Sequence, residues 1–206
     1  MLTVGNDAAE VERRLSRGQL ECPLCGGRLA GWGHARIREV RLAGGTGWRL
    51  RPRRGICGGQ GGCGRTHVLL PAGMLARRAD SAAVIGAALA GAAAGLGHRT
   101  LAARLGVAAA TVRGWLRRLA SRAEPLRSAF TALACALDAD PLLPGPAGPP
   151  LADAVAAILA AAAAAARRRG ALASAVSPWE LASAVTSGGL LSPSAAVQMI
   201  NTSCPW

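Results

Sequence analysis

Four of the six cysteines stand as two pairs, Cys22-Pro-Leu-Cys25 and Cys57-Gly-Gly-Gln-Gly-Gly-Cys63. Two thiolates three residues apart reach a single ion, and the glycines after Cys25 let backbone N–H groups turn toward sulfur. The second pair is less regular, with five residues between its thiols, but four of those five are Gly and allow the loop to fold back. The four thiolates predict one tetrahedral Zn2+ site on Cys22, Cys25, Cys57 and Cys63. His67, four residues after Cys63, is a possible substitute ligand, and His34 is a weaker one. Clustered Cys pairs in a reducing compartment point to metal rather than disulfides. A catalytic zinc keeps an open position and usually has a Glu beside it. Here the nearby acids are Glu21 and Glu39, and the sequence has no His-x-Glu. The site therefore reads as structural and the chain as non-enzymatic, with Cys135 and Cys204 left as free thiols.

The second informative stretch is residues 98–119. With Gly106 as the turn, Leu101, Leu105 and Ala102 precede it while Val107, Val112 and Trp115 follow, at the spacing of a helix-turn-helix. Val112, Trp115, Leu116 and Leu119 form an i, i+3, i+4, i+7 apolar face on the second helix. Its opposite face presents Ala108, Ala109, Ala110, Arg113 and Arg117, the positions that would read bases in a major groove. Arg99, Arg104, Arg118 and Arg122, with Arg53 and Arg54 from the cysteine-bearing segment, are phosphate candidates.

Charge supports that division. All 24 basic residues are Arg, against 11 acids, giving +13 overall. Arg over Lys partly reflects coding bias, but placement does not. Residues 22–78 carry +10 and residues 79–130 carry +5, while both flanks are at −1. So concentrated a field attracts polyanions and gains affinity by counterion release. Much of the 51% apolar content is Ala, which buries little area, so a large single-core enzyme fold is not expected.

The elements that must hold these groups follow from local signals. Residues 36–42, 48–51 and 66–70 read as three short strands around a Gly44-Gly45-Thr46-Gly47 turn, a small ribbon. Residues 81–94 read as a helix capped by Ser81, and Glu124-Pro125 starts another reaching about residue 137. Residues 138–150 hold five of the twelve prolines and read as a linker. An Ala-rich helix over residues 151–169 would end at Gly170, with a stripe of Val155, Ile158 and Leu159 suited to packing or to a homodimer contact. Its apolar run, residues 151–166, carries Asp153 and falls short of the ~20 residues a membrane span needs. A last short helix starts at Ser177, and the tail beyond residue 189 reads as loose.

The expected fold is mainly α with a small β zinc ribbon. An N-terminal tail (1–20) is followed by the ribbon (21–75), a helix-turn-helix domain (76–137), the Pro-rich linker (138–150) and a C-terminal helical segment (151–206). The first fifteen residues contain Asp7, Glu10 and Glu12 and no apolar core of a secretory signal, so the expected location is cytoplasmic and nucleoid-associated.

The residues also resemble a known family. Cys22-Pro-Leu-Cys25, Arg53-Arg54-Gly-Ile-Cys57, Thr66-His-Val-Leu-Leu-Pro71, the Gly-His-Arg-Thr-Leu-Ala-Ala-Arg-Leu-Gly-Val run ending at Val107, Thr111-Val-Arg-Gly-Trp-Leu-Arg-Arg118 and Ser177-Pro-Trp-Glu-Leu are similar to actinobacterial helix-turn-helix proteins of the DUF6431 type. These resemble the zinc-ribbon and helix-turn-helix front end of insertion-sequence transposases. The resemblance covers about residues 20–206. It implies double-stranded DNA as partner, acting beside a separate transposase or integrase subunit or as a transcription regulator. It implies no reaction, and the acids after residue 123 do not sit in a strand-rich segment that would make a two-metal nuclease. Two alternatives stay open: an RNA-binding ribbon, poorly served by only two ribbon aromatics, Trp32 and Trp48, and a catalytically incomplete transposase fragment.

Overall fold

The computed structural model describes residues 1–59, 61–146, 148–169 and 177–193. The first twenty residues, expected as a tail, build structure instead. Strand β1 (Leu2–Val4) leads into helix α1 (Ala8–Ser16), whose first turn is capped by Asp7, with Ala9 N–H and Glu10 N–H donating to its Oδ1. Val11 and Leu15, one turn apart, face inward with Leu2 and Val4. A three-residue strand is too short to show a period of two, and its partner lies far along the chain, so no local pattern announces it.

That partner is β6 (Thr66–Pro71), to which β1 pairs in parallel with Leu2 opposite Leu69. β6 runs antiparallel to β5 (Arg53–Cys57), and β5 antiparallel to β2 (Leu29–His34), giving the order β1-β6-β5-β2. Strands β3 (Arg38–Arg41) and β4 (Gly47–Leu50) pair only with each other, across a 3-10 turn at Ala43–Gly45. The three expected strands therefore exist but do not form one ribbon. Two make this separate hairpin, and the third joins a four-stranded sheet with β1, β2 and β5. The reason lies in what each buries. Val40 and Leu50 of the hairpin meet Leu70 and Met74, whereas Leu29 and Cys57 belong to the cluster under α1.

Six more helices follow among the described residues: α2 (Ala82–Ala93), α3 (His98–Leu105), α4 (Ala109–Ala120), α5 (Ala123–Leu137), α6 (Pro150–Arg169) and α7 (Pro178–Val185). Ser81 Oγ accepts from Val84 N–H at the head of α2, and Ser177 forms a capping box with Glu180 at the head of α7. Gly106 has φ 61°, ψ 34°, the left-handed conformation that turns α3 into α4 within three residues. Leu101, Ala102, Val107, Val112, Trp115 and Leu119 are all buried in the interface this creates.

Of the described residues 47% are helical and 18% are in strands, so the fold is mixed α/β rather than mainly α. Nor does the Pro-rich stretch separate independent halves, because α6 packs directly on α5, and Arg167 Nε donates to Asp138 Oδ2 at 2.6 Å. α6 is 20 residues long, longer than the apolar run expected, and is long and apolar enough to cross a membrane. Here its Ala154, Val155, Ile158 and Ala161 are fully buried in the helical core, the packing use of that stripe, while Leu159 is exposed. Trp179 of α7 covers Gly86 of α2, where a Cβ would collide with its indole. The expected helix stop at Gly170, and Cys204 with the rest of the tail from residue 194, lie outside the described residues.

Candidate metal centre and basic helix face

Two backbone turns bring the thiols together. After Cys22, the Gly26 N–H donates to the Cys22 carbonyl (2.9 Å) and the Cys22 N–H to the Gly27 carbonyl (2.7 Å), curling the chain around the first pair. A Cβ on Gly27 would stand 2.9 Å from Cys57 Sγ, so only glycine admits the second pair this closely. Around the second pair, Gly64 N–H donates to the Cys57 carbonyl and Cys57 N–H to the Arg65 carbonyl.

The four Sγ atoms lie within 4.8 Å of one another, with Cys22 and Cys63 3.6 Å apart and Cys25 and Cys57 3.5 Å apart. Metal–sulfur bonds of about 2.3 Å arranged tetrahedrally set the ligands about 3.8 Å apart. The cluster fits a metal ion, and none of the four cysteines is in a disulfide. Without a cation the thiols ionise unevenly. The backbone hydrogen bond from Gly27, then those from the Cys57 and Cys63 thiols, hold Cys25 down at about 6. Cys57 accepts a backbone hydrogen bond from Cys63, yet desolvation and the neighbouring thiols push it up to about 12. A dication would remove that conflict by favouring all four thiolates together.

His67, the possible substitute ligand, lies against the four-cysteine group rather than within it. It is buried, with Nε2 3.3 Å from Cys22 Sγ and Nδ1 3.2 Å from the Met1 amino nitrogen, an arrangement that a neutral imidazole accepting at Nδ1 and donating from Nε2 satisfies. Burial, and then the positive charge of the nearby Met1 amino group, lower its pKa and favour that neutral form. His34, paired with Arg53 at the far end of β2, lies outside the cluster.

The α3–α4 pair presents a different surface. Ala108, Ala110, Arg113 and Arg117 are exposed and Ala109 is half-buried, while Val112, Trp115 and Leu119 turn inward. Arg99, Arg104 and Arg118 are exposed as well, and none of the five guanidinium groups makes a hydrogen bond or ion pair among the described residues. Neither α3 nor α4 has a side-chain N-cap, unlike α1, α2 and α7, so the first-turn N–H groups there lack a capping side chain. Arg78, in the loop before α2, stands close enough to Arg118 to depress its own pKa further, beyond the effect of burial.

Three other arginines expected at phosphates already have partners within the fold. Arg122 is buried, and its Nη1 donates to the carbonyls of Gly189 (2.7 Å) and Leu190 (3.3 Å), tying the chain after α7 to the head of α5. Arg53 is held by both oxygens of Glu12 and by the Gly33 carbonyl. Arg54 is half-buried and donates to Thr66 Oγ1. Arginine count along a sequence cannot distinguish a free guanidinium from one already satisfied by a carbonyl or carboxylate brought in from elsewhere. No family model, curated protein or solved structure matches the chain.

Proposed function

We propose that this is a double-stranded DNA-binding protein whose structural Zn2+, held by Cys22, Cys25, Cys57 and Cys63, supports a sheet beside a helix-turn-helix. The carrying observation is the group of five unpaired, exposed arginines on α3 and α4. Like charges without counter-ions are costly to gather unless a polyanion neutralises them. In this reading α4 enters the major groove. Arg113 and Arg117 meet guanine edges or phosphate, the alanines at 108–110 allow close approach and touch thymine methyls, and Arg99, Arg104 and Arg118 hold flanking phosphates. The open first-turn N–H groups of α3 and α4 add phosphate donors. With few side-chain hydrogen-bond donors for base edges, discrimination is modest and salt dependence strong. The family resemblance favours a recognition role beside a separate transposase or integrase subunit, or a regulatory one.

Titrating the protein against duplex DNA at increasing salt tests the reading. Neutralising three to four phosphates predicts a log–log slope of about −3 to −4. Arg113→Ala with Arg117→Ala should cost roughly 1–3 kcal/mol for each arginine. A flat salt response, or full binding by the double variant, would refute it.

A further inference from the structure

We propose that the β3–β4 hairpin is a second duplex-contacting element, a wing that rests on the phosphate backbone beside the groove entered by α4. This rests on the DNA-binding reading above and extends it to a part of the molecule outside the helical pair.

The hairpin is fastened to the turn that aims α4. Arg41, at the end of β3, donates its backbone N–H to the Ala79 carbonyl (2.8 Å) and accepts from Ser81 N–H (2.9 Å), which places it at the head of α2. Its side chain continues across, with Nη1 donating to the Gly106 carbonyl at 2.9 Å, the left-handed residue between α3 and α4. Asp80, 3.7 Å from Arg41 Nε, steadies the same guanidinium. The 3-10 turn at the tip lies against α3. The hairpin is thereby tied to the turn between α3 and α4 and to α3 itself.

Strand alternation decides what the hairpin offers outward. Val40 and Leu50 point into the core, so Glu39, Arg41, Gly47 and Arg49 share the other face. Arg49 is exposed, as are Arg36 before β3 and Arg51 after β4, and these three guanidinium groups have no hydrogen-bond or ion-pair partner among the described residues. Glu39, the carboxylate on that face, lies opposite Arg49, two pairs back from the tip. The tip itself, residues 43–47, is exposed throughout, and an ideal Cβ at Gly44, Gly45 or Gly47 would meet nothing within 4 Å. A tip of Ala, Gly and Thr, with Arg49 two residues beyond Gly47 and Arg36 and Arg51 at the base of the hairpin, lets the backbone come close to a phosphodiester without a side chain intervening. Positive charge, small residues and attachment to the turn that leads into α4 all fit a duplex phosphate backbone.

The test uses the full-length, metal-loaded protein and a random-sequence duplex, with affinity measured across a salt series. Arg49→Ala should weaken binding several-fold and reduce the salt slope by about 0.9, the share of one phosphate. Gly47→Glu, which puts a carboxylate into open space at the tip, should weaken binding further without lowering the melting temperature. Arg17→Ala removes the same charge from the end of α1 and should leave the slope unchanged. If Arg49→Ala and Gly47→Glu behave like wild type while Arg113→Ala with Arg117→Ala still abolishes binding, the wing is overturned and the DNA reading stands. If Arg17→Ala lowers the slope as much as Arg49→Ala, the effect is one of net charge and the wing is again overturned. If wild type shows no salt-dependent duplex binding, the DNA reading fails and the wing with it.

Discussion

The cysteine-bearing sheet and the helical layer solve the same problem with different materials. The helical layer has one continuous core, running from Leu75 and Ile85 through Trp115 and Phe130 to Ile158 and Trp179, with ten buried alanines that let α2, α5 and α6 approach closely. The sheet has two small clusters, of nine and four buried residues, and two of the nine are Cys22 and Cys57. At about 1.5–3 kcal/mol for a fully buried large aliphatic side chain, so few contacts cannot offset the entropy of ordering the strands and loops around them. Two of the thiols are thus part of the sheet's core, and in the Zn2+ reading proposed above the ion between all four supplies what the apolar contacts do not.

On the proposed Zn2+ site, the largest effect should come from taking the metal away. Chelation, or Cys57→Ser, should remove on the order of 10 kcal/mol from the sheet. Helical circular dichroism should remain while the environments of Trp32 and Trp48 on β2 and β4 change. A single cooperative collapse of both regions would break the comparison. Elemental analysis of protein as purified provides the companion measurement, with Zn2+ expected.

A smaller loss should come from Gly86→Ala, because the added methyl collides with the Trp179 indole in the closely packed layer. Overpacking of this kind costs about 1–3 kcal/mol, read in urea unfolding. The sheet should be unaffected, so the metal content and its chelator sensitivity should stay as in wild type.

Acidification gives the smallest effect and sharpens the contrast through its order. Glu12 pairs with Arg53 on the sheet side, and Asp138, just after α5, pairs with Arg167 of α6. The hydrogen bond from Arg53 lowers the Glu12 pKa below its ordinary 4.5, and that from Arg167 lowers Asp138 below 3.8. Since the folded values are depressed, each pair stabilises the protein in full above those ordinary values and loses its contribution as pH falls through the lowered ones. Protons compete with metal for four sulfurs at higher pH than this. The sheet should therefore melt first on acidification, and Asp138→Asn should flatten only the later, slight decline of the helical layer, seen in melting temperature against pH.

What could be read from the sequence follows the same divide between local and remote causes. Cys22-Pro-Leu-Cys25, Gly106 with its flanking apolar positions, Ser81 and Ser177 announce their roles because each acts on neighbours within a turn or two. β1 could not be seen because its hydrogen bonds go to residues 69–71. β2, with two glycines, a tryptophan and a histidine among its six residues, lacks the β-branched signal of a strand and is held by pairing with β5. Arg53 and Arg122 look like their free neighbours until Glu12 and the Gly189 carbonyl arrive. Of the candidate site, the four thiols and the α4 face were legible, whereas the Arg41 bond to Gly106 depends on an approach between segments 65 residues apart.

The parallel pairing of β1 with β6 also orders events in time. A parallel neighbour cannot be reached by a hairpin, so Leu2 must wait for Leu69 to leave the ribosome, several seconds at about 5–20 residues per second. Until then the apolar side of α1 has no sheet to cover it. Capture of an ion by Cys22 and Cys25, and then by Cys57 and Cys63, would close most of that long loop before β6 exists, turning a slow search into a short one.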